Sequence, residues 1–504
     1  MLMTGKEYTE SLRKLNPKVY ALGERVESVV DFPLFKPHVN AAAMTYELAH
    51  EPEYQTIMTA VSHLTEERVN RFVHIHQSHQ DLVNKVRMMR LLGQKTGTCW
   101  QRCVGLDALN ALYVVSYDID RKSGSTNYHE RVKEYVKYVQ TNDLMPAGAM
   151  SDTKGDRSLR PHQQPNPDVY VHVTEKREDG IIVRGAKAHI TGTVNSHEII
   201  AMPTRTMGPD DKDFAISYAV PIDTEGVTLI FGRQTNDTRR LECEVDAGNA
   251  KYGIVGGEAL IIFDDVFIPW DRVFMCGEAD FSTELVETFA GYHRQNYGGC
   301  KVGLADVVTG AAQWIAEAHG VEKASNIRNT IAEMVHLAET CWSCSLACSY
   351  EGYQTPSGAY VPHPLLANVV KLNITRSTYE WMRLAQDVAG GLIITLPSEQ
   401  DYKNLNVGKY MEWALGAKEG VRTEDKIRMF RLIENMAIGA GLPEALHGAG
   451  SPAAQKIMIT RRSGIDKKKE LAMIIAGIEP DQYFKRITGM TEDHYFKDFR
   501  SPSK

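Results

Sequence analysis

Hydrophobic periodicity changes twice along this 504-residue chain, and that double switch restricts the fold more than any other feature. Over residues 6–142 apolar side chains recur at three- and four-residue spacing, as in Val69, Phe72 and Val73 and again in Leu82, Val83, Val86 and Met89. That is the repeat of amphipathic helices. A turn-rich patch at 31–40 interrupts it, and 106–120 reads as a buried helix. Beyond Leu144, Pro and Gly become frequent and short β-type runs appear at 168–173, 181–186, 199–203, 214–221, 227–231 and 259–267. Val169, Val171 and Val173 alternate with polar residues, and Asp179-Gly180 between two runs is a hairpin signal. From about Phe281 the helical pattern returns, with long segments at 301–320, 323–350, 364–389 and 423–439. No helix-length segment separates the strands, so an antiparallel sheet fits better than a parallel nucleotide-binding one. The expected architecture is α+β and multidomain: an N-terminal helical domain over 1–143, an antiparallel β-barrel or sandwich domain over 144–275, and a C-terminal helix bundle over 276–504.

Composition excludes several functions. The formal charge is 57 − 64 = −7 with 43% hydrophobic and 24% charged residues. An acidic balance of this kind argues against nucleic-acid or membrane-surface partners, which call for basic patches. No uncharged apolar run approaches the roughly 18 residues of a membrane span. Residues 1–18 interleave charges and show no apolar signal core, which makes a cytoplasmic setting the expectation. Eight cysteines are too sparse for a disulfide scaffold in a chain this long. They are expected to be reduced thiols, used for metal, redox chemistry or packing.

Cys99 and Cys103 stand four apart in Thr98-Cys-Trp-Gln-Arg-Cys-Val104, so on a helix both thiols would share one face. Far downstream, His293 and Cys300 flank Gly298-Gly299, where the glycines let backbone wrap closely around a partner. Three Cys and one His suit zinc or an iron–sulfur cluster. The C-x3-C spacing by itself favours a packed thiol pair over a ligand pair, because free Cys behaves as a small hydrophobe. Cys341, Cys344 and Cys348 form a helical stripe with no loop to let them converge, and packing is their expected role. Segment 148–157 is small and polar, and with the strand-end turn 185–192 it has the makings of a flavin-contacting surface. The chain has neither a dinucleotide fingerprint nor a P-loop. The links 389–391 and 447–451 read as helix-end turns, and the basic run 461–469 as a solvated helix face. Glu258 and Glu444 become acid/base candidates if buried at a site.

Together these segments resemble the 4-hydroxybutyryl-CoA dehydratase (vinylacetyl-CoA Δ-isomerase) family. It lies within the 4-hydroxyphenylacetate 3-hydroxylase and acyl-CoA dehydrogenase-like superfamily. The resemblance runs through Arg90-Leu-Leu-Gly-Gln-Lys-Thr96 into Cys99 and Cys103, then Asp152-Thr-Lys-Gly-Asp-Arg157 and Arg184-Gly-Ala-Lys-Ala-His189. It continues through Phe289-Ala-Gly-Tyr-His-Arg-Gln-Asn-Tyr-Gly-Gly-Cys-Lys-Val-Gly303 and His447-Gly-Ala-Gly-Ser-Pro452. Ser151 and Thr153 alter the wording of the flavin loop, and the stretch before Glu444 diverges.

The resemblance implies radical dehydration of 4-hydroxybutyryl-CoA to crotonyl-CoA with FAD and a [4Fe–4S] cluster, with a vinylacetyl-CoA isomerase side activity. It implies Cys99, Cys103, His293 and Cys300 as cluster ligands. It assigns flavin contact to Met150, Ser151, Asp152, Thr153, Lys154, Gly155, Asp156 and Arg157, and to His189, Ile190, Thr191 and Gly192. It places Tyr297, Glu258, Glu444 and Lys301 along the substrate cavity, and with His293 they make the expected catalytic set. Because imidazole holds iron more weakly than a thiolate, His293 is expected to hold the labile iron and take the α proton, with Tyr297 or Glu258 meeting the leaving hydroxyl. The resemblance further implies an acyl-CoA substrate and a homotetramer. Two other classes compete: a two-component flavin-dependent aromatic hydroxylase, and a protein stapled by a structural Cys3His zinc site.

Overall fold

The switch in periodicity becomes a switch in architecture in the computed structural model, which describes residues 2–479 apart from 235, 236, 254, 255 and 440. The chain forms two compact units, Met1–Pro452 and Ala453–Lys504. In the second, the basic run falls on the helices Pro452–Arg462 and Ile465–Ile475, where Arg461, Arg462, Lys467 and Lys468 are exposed. The part of the expected third domain beyond Glu479 lies outside the described residues. Among the described residues, no helix is long and apolar enough to cross a membrane.

The helices that matter for the site are α1 (His79–Thr96), α2 (Cys103–Ser123), α3 (Ser282–Ala318), α4 (Ser325–Tyr350), α5 (Pro364–Ala389), α6 (Thr423–Ile438) and α7 (Gly441–His447). Ser78 caps α1 by accepting the Asp81 N–H, and Gly97 ends it in the left-handed conformation. Helix α3 is the axis of the unit, packing against α1, α2, α4, α5 and α6. It begins well before the helical run expected from residue 301, so His293, the glycine pair and Cys300 all lie inside a continuous helix.

The strands are β1 (Val19–Ala21), β2 (Glu24–Val26), β3 (Pro146–Ala149), β4 (His172–Lys176), β5 (Gly180–Thr191), β6 (Glu198–Ala201), β7 (Ile216–Pro221), β8 (Val227–Phe231), β9 (Glu258–Pro269) and β10 (Val273–Cys276). They form one sheet in the order β2-β1-β8-β9-β5-β4 and another in the order β10-β7-β6-β3. Of the two expected forms, the antiparallel barrel is therefore corrected: the strands form two separate sheets rather than one closed one. Two pairings, β1 with β8 and β3 with β6, are parallel. Alternation reports which face of a strand is buried, not which way its neighbour runs. The hairpin expected at Asp179-Gly180 joins β4 to β5, whereas 167–169 is a helical turn that delays β4 to His172. The N-terminal segment is not purely helical either. Its β1–β2 hairpin, turning at Leu22 and Gly23 with positive φ, joins the larger sheet. Strands of three residues are too short to show a period.

One continuous apolar core joins the N-terminal helices to both sheets, and a second fills the bundle around α3, α5 and α6.

Candidate active site

The glycines of α3 set the site's geometry. A Cβ on Gly299 would stand 2.4 Å from the Val86 carbonyl oxygen, and one on Gly303 2.4 Å from that of Arg90 and 2.9 Å from Gly93 Cα. Across the seam, a Cβ on Gly93 would lie 2.8 Å from the Cys300 carbonyl oxygen. On the other flank, a Cβ on Gly298 would meet Ser345 Cβ at 2.4 Å. These are distances that no side chain tolerates, so α1 and α4 approach the α3 backbone directly. The Gly298-Gly299 pair thus serves helix packing rather than the loop suggested by its composition. On α3, residues 293, 297 and 300–301 then fall along one stripe.

Facing that stripe is the α1–α2 connection. Cys99 lies in the loop after Gly97 and Cys103 is the first residue of α2. The pair is therefore not carried on one helix face, as the spacing had suggested. Gln101, at φ 75°, reaches between Gly192 and Gly256, whose added Cβ atoms would stand 2.7 and 2.4 Å from its side chain. The loop is thereby wedged against the ends of β5 and β9.

Cys99, Cys103 and Cys300 influence one another electrostatically. Burial pushes the Cys99 thiol up to about 11 and the Cys300 thiol to about 12, and Glu444 adds to both. Cys103 is raised well above its ordinary value by burial, then by Cys99, Asp107 and Cys300. Among the described residues no three His, Cys, Asp or Glu side chains converge on a single-ion centre. Thiolate sulfur and imidazole nitrogen are donors for zinc and for an iron–sulfur cluster alike. The donor set of thiols and imidazole suits the cluster.

His293 Nδ1 lies 2.8 Å from Asp107 Oδ2, and in the neutral ring that contact puts the proton on Nδ1 and makes Nε2 the acceptor nitrogen. Its ring is stacked on Phe289 at 5.6 Å and meets Tyr297 edge-on at 5.5 Å. One turn further along, the buried Tyr297 hydroxyl donates to Glu444 Oε1 at 2.7 Å, and Lys301 pairs with Glu444 Oε2. Lys371, from α5, stands 4.1 Å over the Tyr297 ring and donates to the Ala445 carbonyl. Burial opposes ionisation of Glu444, yet Lys301, Tyr297 and Lys371 together hold its carboxyl below the usual range. Burial also opposes Lys301, but Glu444, Cys300 and Cys99 keep its ammonium above the ordinary value. Lys371 is lowered to about 7, chiefly by burial.

Glu258 opens β9 and accepts the Thr191 hydroxyl at 3.0 Å from the paired strand. Burial and the Glu444 charge raise its carboxyl to about 7. Glu258, Glu444 and Lys301 all bear on Cys99, so the sheet, bundle and loop residues share one locality.

The polar segment 150–157 is divided in its use. Asp152 is buried against Lys187 at 2.7 Å and accepts the Val171 N–H, and the Thr153 hydroxyl donates to the Val169 carbonyl at 2.9 Å. Asp156 accepts from Ser158. Those polar atoms tie the loop to the protein. Lys154, at φ 77°, and the exposed His189, at φ 44°, remain at the rim, close enough for the charge on Lys154, and that of His447, to bear on His189. With Thr191 beside Glu258, they form a donor-bearing edge suited to a flavin.

Of the remaining thiols, Cys341 packs into the bundle and Cys348 against α5. Cys243 donates to Asp246 at 3.2 Å and Cys276 ends β10. Sequence reasoning missed Asp107, Lys371 and Gln101. The first two had a signal: each is a charge set in an apolar helical run, Leu106-Asp-Ala108 and Val370-Lys-Leu372.

Sequence models of 4-hydroxyphenylacetate 3-hydroxylase match this chain, the N-terminal model over residues 4–275 and the C-terminal model over 282–477. The chain belongs to that family. Within it, the chain is 52% identical over 493 residues to the 4-hydroxybutyryl-CoA dehydratase/vinylacetyl-CoA-Δ-isomerase of Clostridium aminobutyricum, covering 95% of this chain and 100% of that protein. The solved structure of an oxygen-tolerant archaeal 4-hydroxybutyryl-CoA dehydratase from N. maritimus superposes with a TM-score of 0.92 at 48% identity, covering 98% of this chain and 100% of the other. An oxygenase component of 4-hydroxyphenylacetate 3-monooxygenase, solved with FAD, shares the fold with a TM-score of 0.82 at 23% identity, covering 94% of this chain and 98% of that one.

Proposed function

We propose that the chain catalyses dehydration of 4-hydroxybutyryl-CoA to crotonyl-CoA, with a vinylacetyl-CoA isomerase activity at the same site. Full-length identity to the clostridial dehydratase supports this reading. The observation that carries it is the nearness of the buried Cys103 and the half-buried Cys99 and Cys300 to one another and to the Tyr297–Glu444–Lys301 triad and Glu258, with His293 on the same helical stripe.

Cys99, Cys103, Cys300 and His293 would hold the cluster, and Lys154, His189 and Thr191 would meet FAD. When bound, the flavin supplies one-electron redox chemistry and the cluster a Lewis-acidic iron. The protein's own groups move the protons. Overall, one hydrogen leaves the α carbon and one the β carbon, hydroxide leaves the γ carbon, and one proton returns there. When displaced from the cluster, His293 would offer the same Nε2 lone pair to the α hydrogen, which the thioester acidifies. Tyr297 directs its proton to Glu444, so its hydroxyl is oriented rather than free to protonate a leaving group. Glu258, poised near 7, suits proton delivery to the departing hydroxyl, since a catalytic acid works best near the ambient pH. For the isomerase reaction the same base removes the α proton of vinylacetyl-CoA and a proton returns at the γ carbon.

The family resemblance also implies a homotetramer, and exposed Ile394, Leu405 and Trp413 offer apolar surface for a second copy to cover. The deciding experiment is the visible spectrum of anaerobically purified protein, with iron and sulfide analysis and crotonyl-CoA formation measured beside it. A broad cluster band with flavin supports the dehydratase. Flavin alone would transfer the assignment to the aromatic hydroxylases, and neither chromophore would leave a non-catalytic protein.

A further inference from the structure

Asp107 sits one turn beyond Cys103 on α2 and is completely buried. Its Oδ2 accepts from His293 Nδ1 at 2.8 Å and from Asn296 Nδ2 at 2.6 Å, while Oδ1 faces Lys85 Nζ at 3.3 Å. Lys85 is equally buried and also donates to the Tyr292 carbonyl at 3.1 Å. Asp107 is thus gripped from three sides, by α1 through Lys85 and by α3 through His293 and Asn296. A carboxylate taking hydrogen bonds from Lys85 and Asn296 is an acceptor towards His293 too. In the neutral ring the His293 proton is therefore held on Nδ1, and Nε2 is the nitrogen that presents a lone pair.

We infer that Asp107 is the positioning residue for His293: it fixes the ring's tautomer and direction so that Nε2 is available as ligand and base. The inference rests on the proposed role of His293 and adds a residue not counted among ligands or catalytic groups. Its chemistry is general, because a metal-bound imidazole ordinarily gives its other N–H to a carboxylate that orients it. The same carboxylate would face the imidazolium formed when Nε2 takes a proton. Lys85 keeps the carboxylate compensated inside the protein, so the dyad needs no solvent.

A competing role for Asp107 is simply to neutralise Lys85, and two variants separate the roles. Asp107→Asn keeps the shape but can donate to Nδ1, which moves the ring proton to Nε2. The double variant Lys85→Met/Asp107→Leu removes the buried pair together, which buried pairs often tolerate. Each reconstituted holoenzyme is read by iron release to a chelator and by the nitrogen coupling in the pulsed EPR spectrum of the reduced cluster. If Asp107 positions His293, both variants lose the coupling and release iron about 10-fold faster or more. If it only neutralises Lys85, the double variant retains coupling and iron as the parent does, and the inference falls. A parent without nitrogen coupling refutes His293 as ligand and the inference with it. A parent whose coupling persists in both variants refutes the inference alone.

Discussion

Replacing Gly303 by Ala tests whether backbone contact between α1 and α3 shapes the site. The new Cβ would lie 2.4 Å from the Arg90 carbonyl oxygen and 2.9 Å from Gly93 Cα. Ordinary contact begins near 3.4 Å, so the helices must part by about 1 Å or bend, at a cost of roughly 1–3 kcal/mol for overpacking. Ala regains up to about 1 kcal/mol of helix propensity over Gly, which makes the two effects opposite in sign. Gly310 of the same helix separates them, because nothing lies within 4 Å of a Cβ built there. Gly310→Ala is expected to raise the urea unfolding midpoint and Gly303→Ala to lower it. A spread of about 1–3 kcal/mol between the variants follows from overpacking, because the propensity gain is common to both. Gly303→Ala should also lower iron content, since the seam holds Cys300 against the α1–α2 side. If Gly303→Ala is as stable as Gly310→Ala, close helix contact is not what places the ligand segments.

Glu258 binds a proton up to about pH 7 when folded, against an ordinary value of 4.5. The folded state therefore holds more protons between those values, and parent stability falls as pH rises through that window. Glu258→Gln lacks this slope and should gain on the parent from pH 5 to pH 8 by up to about 3 kcal/mol in chemical unfolding; parallel curves would contradict the assignment. Glu444→Gln strands the Lys301 ammonium, which is only 6% exposed, and should cost about 3–5 kcal/mol along with crotonyl-CoA formation. Stability equal to the parent's would remove the buried pair from the account. Cys341→Ala should leave the iron-to-protein ratio unchanged, whereas Cys300→Ala should collapse it, and equal iron loss would put the α4 stripe among the ligands.

Much of the architecture was readable in hydrophobic spacing, because both periods are direct records of which face is buried. The order helical, β, helical survives in the structure. What spacing does not carry is the identity of a strand's partner, so parallel joining of β1 to β8 and of β3 to β6 escaped it. The glycine pair in α3 was ambiguous for a physical reason: glycine serves a tight turn and a tight helix crossing equally, and only the third dimension separates them. Among site residues, His293, Tyr297 and Lys301 could be placed on one helical stripe as soon as α3 was continuous. Glu444 was an acid/base candidate only on condition of burial at a site, the resemblance put it in the cavity, and its partners Lys301 and Tyr297 account for its position. Asp107 and Lys371 were in view as charges inside apolar runs, yet a single charged residue looks the same whether it meets a surface or a buried partner.

The short β1–β2 hairpin has a consequence for handling the protein. Val19 pairs with Leu229 and Tyr20 with Ile230, and the Leu229 N–H is met by the Lys18 carbonyl at 2.8 Å. These contacts cover one side of β8, the run Val227-Thr-Leu-Ile-Phe231. Trimming the chain past Val26 would bare that side as a free strand edge rich in β-branched and aromatic residues, the form on which foreign chains add. A tag or truncation at the N-terminus therefore acts on aggregation long before it acts on catalysis, and the first two dozen residues work as the sheet's guard against its own neighbours in solution.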